Sequence, residues 1–180
     1  MEDDFKCKLL PPILDFNDFD NDWDKYKDEL YLQFVNDFIT KKTEYDKLKV
    51  SIRSNPKENN YEHGFIHLTT IKSPDSSNDV NDRIPDLRRC ERLKWVKILI
   101  ENYPCIKKCN NCNGIQYYEE YYKNNIRINL VLPEAKFKVV LEKRSNYYLL
   151  ITGYYLTYNH NVKKELQKIA KFQKQKTPLI

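Results

Sequence analysis

The sequence predicts one α+β domain, with N-terminal and central helices packed on one face of an antiparallel β-sheet and a basic C-terminal helix, and three observations carry that prediction. Residues 115–156 contain four consecutive β-rich stretches, "IQYYEEYY", "IRINLVL", "KFKVVLEK" and "NYYLLITGYYL". The short links between them, around "KNN" and "KRSN", favour antiparallel neighbours. Two longer segments repeat apolar residues every three or four positions, the period of an amphipathic helix. The chain has 180 residues, 41% of them hydrophobic, with 14 tyrosines, a composition for one globular domain.

The elements follow in order. Residues 1–15 form a leader broken at Pro11 and Pro12. Residues 16–45 form a helical segment in which Trp23, Tyr26, Leu30, Phe34 and Phe38 line one face and face the core. Asp20 or Asn21 is the expected cap, with acids in the first turn, where the helix dipole favours them. Residues 46–160 form the α+β core. In it, "KLKVSIRSNP" alternates as a strand through Leu48, Val50 and Ile52, and "HGFIHLTTI" (63–71) reads as a second strand. Residues 72–83 are a polar loop. "IPDLRRCERLKWVKILIENY" is a helix with Pro85 near its start, and "PCIKKCNNCNG" is a loop. Residues 161–180 form a basic helix and tail.

Charge is unevenly spread. The net charge is +5, yet the first fifty residues are acidic and the last thirty basic. A basic body with a basic tail suits a polyanion. The plainer reading is a solvated surface. No run approaches the roughly 18 apolar residues of a membrane helix, and the acidic start is unlike a secretory signal. The expectation is a cytoplasmic protein with no membrane partner. Five cysteines, an odd number, make a disulfide framework a poor expectation. With three glycines and no phosphate-loop or nucleophile-elbow motif, nucleotide-driven and α/β-hydrolase chemistry are poor fits.

Four features could carry chemistry. His67 stands in "FIHLTT", where alternation would put it with Phe65 and Thr69, and an imidazole can act as acid or base near neutrality. Arg88, Arg89 and Arg92 stand on the central helix. Arg88 and Arg92 share a face, and two guanidinium forks make a phosphate clamp. Thr152 and Tyr154 share a face of the last strand with Leu150, leaving Leu149, Ile151, Gly153 and Tyr155 on the other. Lys138, Lys143 and Arg144 flank the preceding strand. Cys105, Cys109 and Cys112, with Cys90 as a fourth thiolate, form a weak zinc pattern, because only one C-x₂-C pair is present. Each feature also has a plainer reading: a hydrogen-bonded histidine, surface ion pairs, β-forming packing residues and incidental thiols.

Taken in order, "FIHLTT", "RIPDLRRCER" and "KRSNYYLLITGYY", followed by a closing His-x-x-Lys-Lys-Glu, resemble a family of phage- and mobile-element-associated proteins across residues 9–166. That family is similar to the barnase–EndoU–colicin–RelE superfamily of metal-independent ribonucleases. The resemblance implies a RelE-like sheet fold and RNA cleavage to 2′,3′-cyclic phosphate ends without a cofactor. It implies a toxin or phage-defence role, with RNA and an antitoxin or inhibitor as partners. The implied catalytic residues are His67, Arg88, Arg92, Thr152 and Tyr154. Arg89, Lys143, Arg144, His160 and Lys163 would hold substrate. Gly153 departs from the family, which more often has alanine there. The alternatives are a non-catalytic RNA- or DNA-binding phage regulator and an interaction protein that docks a host partner through its acidic N-terminal helix.

Overall fold

A computed structural model describes residues 7–73, 83–106 and 109–176. Most of the expected 72–83 loop therefore lies outside the described residues. The fold is α+β, with a six-stranded sheet and five α-helices among those residues.

The N-terminal segment opens with a 3₁₀ turn, Phe16–Phe19. Asp20 and Asn21 then adopt positive φ and reverse the chain. This moves the cap one position on from the expected pair. Asp22 caps α1 (Trp23–Phe34), its Oδ1 accepting from the backbone N–H of Asp24 at 3.0 Å and of Lys25 at 3.2 Å. Those bonds hold its carboxyl below the usual carboxylate range, with the Lys25 N–H the main cause. The expected stripe is core: Tyr26, Leu30, Phe34 and Phe38 are buried, while Trp23 packs at the margin. The helix ends in a π turn, Val35–Thr40.

Short strands β1 (Glu44–Tyr45) and β2 (Leu48–Ser51) follow. The next segment corrects the sequence reading. "HGFIHLT" is not a strand but helix α2, His63–Thr69, and only Thr70–Lys72 (β3) is extended. Phe65, Leu68 and Thr69 fit a helical period as well as a strand pattern, and a run this short cannot be told apart by periodicity. Packing decides, since the Phe65 ring is set against Tyr31, Phe34 and Tyr61. Gly64 makes the close approach possible: an added Cβ would lie 3.3 Å from Ile52 Cβ and 3.4 Å from the Arg53 carbonyl oxygen.

Strand β4 (Arg83–Pro85) pairs with β3, and Asp86 caps α3 (Leu87–Cys90). The expected long helix is broken at Glu91–Arg92 and resumes as α4 (Leu93–Glu101). Strands β5 (Gln116–Tyr122), β6 (Asn125–Leu132), β7 (Phe137–Lys143) and β8 (Tyr148–Tyr155) form the expected antiparallel meander. The sheet order is β1-β2-β8-β7-β6-β5. The β2–β8 pairing is parallel, which the antiparallel expectation did not include.

Helix α4, with α1 packed against it, covers one sheet face, burying Leu130, Val139 and Leu141 beneath Val96, Leu99 and Ile100. Helix α5 (Asn159–Lys176) covers part of the other face through Ile169, Val162 and Phe172, against Tyr118 and Val131. The central helix therefore lies on one face, as expected, and the C-terminal helix, to which the sequence assigned no face, lies on the other.

A register shift decides which β8 side chains go where. Val140 pairs with Thr152, but Leu141 pairs with Leu150, so Ile151 is an extra residue in the strand. The expected alternation is thus corrected. Leu150 and Gly153, not Leu149 and Ile151, lie under α4 and α2. Leu149, Thr152 and Tyr154 share the opposite face with Glu142, Val140 and Lys138. A Cβ on Gly153 would meet Val96 Cγ2 at 2.8 Å. Gly153→Ala is expected to cost about 1–3 kcal/mol by overpacking, measured by chemical denaturation. A neutral or stabilising result would show that Val96 has room to turn away.

Candidate nucleic-acid site

Strand β2 hydrogen-bonds only the start of β8, at Tyr148 and Leu149. Beyond that point α2 and α3 take its place along the β8 edge. The Gly64 N–H donates to the Arg53 carbonyl at 2.8 Å, which ties the start of α2 to the chain leaving β2. A cleft of about 360 Å³ opens here, lined by Arg53, His63, His67, Arg127, Glu142 and Arg144, with Tyr122 and Lys123 at the β5–β6 turn.

His63 and His67 are four apart on α2, so they share a helix face. Their ring centroids are 4.2 Å apart. Burial drives the His67 pKa down to about 4, and the Arg83, His63, Arg53 and Arg89 charges add to the effect. His63 is shifted the same way, by burial and then by Arg53. Its Nδ1 is buried without a hydrogen-bond partner and lies 3.8 Å from Glu58 Oε1. At neutral pH His67 is an uncharged imidazole, able to accept a proton.

The same cleft is lined by two arginines around one carboxylate. Arg127 and Glu142 are directly paired across β6 and β7, with Nε 3.6 Å from Oε2. Arg144 Nη2 donates to Glu142 Oε1. The Arg127 guanidinium also lies 3.5 Å from the centroid of the Tyr122 ring. The Nε atoms of Arg127 and Arg144 are buried and have no hydrogen-bond partner. The described lining thus sets Arg53, Lys123, Arg127 and Arg144 against a single carboxylate, an excess of positive charge that attracts an anion.

Next to the cleft, Arg89 gathers several sequence-predicted residues. Its Nη1 donates to the His67 carbonyl at 2.9 Å and to Thr152 Oγ1 at 3.4 Å. Its guanidinium lies 5.5 Å from the Tyr154 ring centroid, and Asp86 Oδ2 is 3.7 Å from its Nε. Burial pushes the Tyr154 phenol up to about 12, so it stays protonated. Arg88 and Arg92 go elsewhere. Their guanidiniums sit 5.8 and 4.5 Å from the Tyr155 ring centroid, on the opposite face of β8 from Thr152, and Arg92 pairs with Glu91 at 2.8 Å. Neither lines the cleft, so the structure joins Arg89, Thr152 and Tyr154 but does not bring Arg88 or Arg92 to the His67 ring.

Lys143 is exposed at the end of β7, beside Arg144. His160 stacks on Tyr158 at 5.4 Å, and Lys163 is exposed on α5. Both lie apart from the cleft lining. Lys138, read as a flanking cation, is buried beneath α5. Cys90 stands apart from the cysteines of the 105–112 loop. Cys90 Sγ is buried and donates to the Thr69 carbonyl at 3.3 Å, its thiol pushed up to about 12 by burial. Cys109 Sγ accepts from the Lys8 N–H at 3.3 Å, and Cys112 Sγ accepts from the Gly114 N–H at 3.3 Å. Among the described residues, no three or more His, Cys, Asp or Glu side chains are grouped to hold a metal ion.

Sequence reasoning missed Arg53, His63, Tyr122, Lys123, Arg127 and Glu142. The signal for His63 was its i, i+4 spacing to His67, legible only if the segment is helical. The signal for Arg127 and Glu142 was a polar residue at matching positions of consecutive strands. Comparison with family models, curated proteins and solved structures returns no match for this chain.

Proposed function

We propose that the chain is a metal-independent endoribonuclease that cleaves RNA by attack of a 2′-hydroxyl, leaving a 2′,3′-cyclic phosphate. One observation carries this reading: an uncharged imidazole pair and several guanidiniums line one cleft that holds one carboxylate. In this scheme Arg127 and Arg144 bind the scissile phosphate through planar forks of donors. His67 takes the 2′-hydroxyl proton. The 2′-oxygen attacks phosphorus, and the bond from phosphorus to the 5′-oxygen breaks. The imidazolium formed, in contact with His63, returns the proton to the 5′-oxygen. Fixed guanidiniums stabilise the charge that builds on the phosphorane. Arg89 is a positioning residue, holding the α2 backbone at His67 to Thr152 on β8. Lys143, exposed beside Arg144, would contact a flanking phosphate.

The proposal extends to a RelE-like ribonuclease fold, a toxin or phage-defence role and an antitoxin partner. That extension rests on the sequence resemblance, and the α+β sheet with flanking helices is compatible with it. The decisive experiment incubates purified protein with total cellular RNA in excess chelator and analyses fragment ends. Chelator-resistant cutting to cyclic-phosphate ends is expected. RNA left intact, with binding that weakens as salt rises, would replace the enzyme by a nucleic-acid-binding module.

A further inference from the structure

The β5–β6 turn carries two tyrosines that core packing does not account for. Tyr121 is 84% exposed and Tyr122 44% exposed. Successive strand residues point to opposite faces, and only Tyr122 lines the cleft. The Arg127 guanidinium lies against the Tyr122 ring, 3.5 Å from its centroid, while its Nε is 3.6 Å from Glu142. Glu142 is in turn bonded by Arg144. One arginine therefore joins an exposed aromatic face to the anion-binding end of the cleft. That is the spacing logic of a nucleotide, an anionic phosphate joined to a flat base.

We infer that Tyr122 is a base-stacking platform and that the cleft takes single-stranded RNA, one base stacking on Tyr122 while the adjoining phosphate lies against Arg127 and Arg144. The inference rests on the ribonuclease reading and specifies its substrate. Any base offers a π face, so the platform accepts all four bases. The Arg127 guanidinium occupies one face of the ring, so the base stacks on the other. In a duplex both faces of each base are already stacked on neighbours, and proteins reach bases mainly where the strand is unpaired. A cleft of about 360 Å³ is near the lower end of small-ligand sites, room for a nucleotide but not for a helix.

The test measures binding of a fluorescein-labelled 12-nucleotide 2′-fluoro RNA by anisotropy, alone and annealed to its complement. With no 2′-hydroxyl it cannot be cut, so binding is read apart from cleavage. The single strand is expected to bind at least about tenfold more tightly than the duplex. Tyr122→Leu, which keeps apolar bulk but removes the π face, is expected to weaken single-strand binding about tenfold, within the range for one stacked base. Tyr122→Phe and Tyr121→Leu should stay within about twofold of the parent, the latter because its ring lies on the other face. Equal affinity for duplex, an unaffected Tyr122→Leu variant, or no single-strand binding would overturn the inference. A companion assay with the 2′-hydroxyl strand separates the two readings. Tyr122-dependent binding without cutting would sink the ribonuclease and leave the platform. Cutting that is indifferent to Tyr122→Leu would sink the platform alone.

Discussion

His67→Ala is expected to lower RNA cleavage by about 10²–10⁴-fold, the usual contribution of a positioned general base, while the protein stays folded. Its pH dependence gives the sharper check. A base must be neutral to act, and burial together with Arg83 holds the His67 pKa at about 4. Activity should therefore persist below pH 6 and fall only as pH drops through about 4. Arg83 donates to Thr70 Oγ1 at 2.7 Å beside this helix, and Arg83→Gln removes a cation that disfavours the imidazolium. The acid limb of kcat/KM should then move upward. Stability carries the same sign. The unfolded chain takes up a proton near the ordinary value of 6.5 and the folded chain near 4. Below about 6.5 the unfolded state binds more protons, so stability falls across the window from 6.5 to 4. His67→Gln should flatten the part of that loss due to this residue in melting curves. Full cleavage by His67→Ala, or an acid limb near 6.5, would remove His67 as the base.

The largest expected stability effect lies under α5. Lys138 on β7 is 3% exposed and Glu165 on α5 is 8% exposed. Lys138 Nζ donates to Glu165 Oε2 at 2.9 Å and to the Tyr118 hydroxyl at 2.8 Å, and that hydroxyl donates to the same carboxylate oxygen at 2.7 Å. Burial pulls the Lys138 pKa down and pushes that of Tyr118 up. Lys138→Met leaves the Glu165 carboxylate buried without its cation, which is expected to cost about 3–5 kcal/mol. The double variant Lys138→Met, Glu165→Leu removes both charges and should regain most of that loss. Urea denaturation of the three proteins measures it. A cost under about 1 kcal/mol for Lys138→Met would mean that the apolar contacts of Ile169, Val162 and Phe172 alone hold α5 in place.

The sequence by itself determined the α+β class, the four-strand meander, the buried stripe of α1 and the position of α5. Each of these is written in a local pattern many residues long, where period and turn chemistry agree. No described helix is long and apolar enough to cross a membrane. Only the tertiary structure decided the rest. Whether "HGFIHLT" is strand or helix depends on the aromatic pocket that receives Phe65, supplied by residues some thirty positions earlier. That one decision moves His67 from beside Phe65 to beside His63. The extra residue at Ile151 exchanges the faces of Leu149 and Leu150 while Thr152 and Tyr154 keep theirs, and an insertion of one residue in a strand leaves no mark in composition. Lys138 reads as a surface cation until Glu165, 27 residues on, folds over it. The cleft itself joins Arg53, His63, Arg127 and Arg144 from separate elements, and strand register and helix placement, not local spacing, bring such residues together.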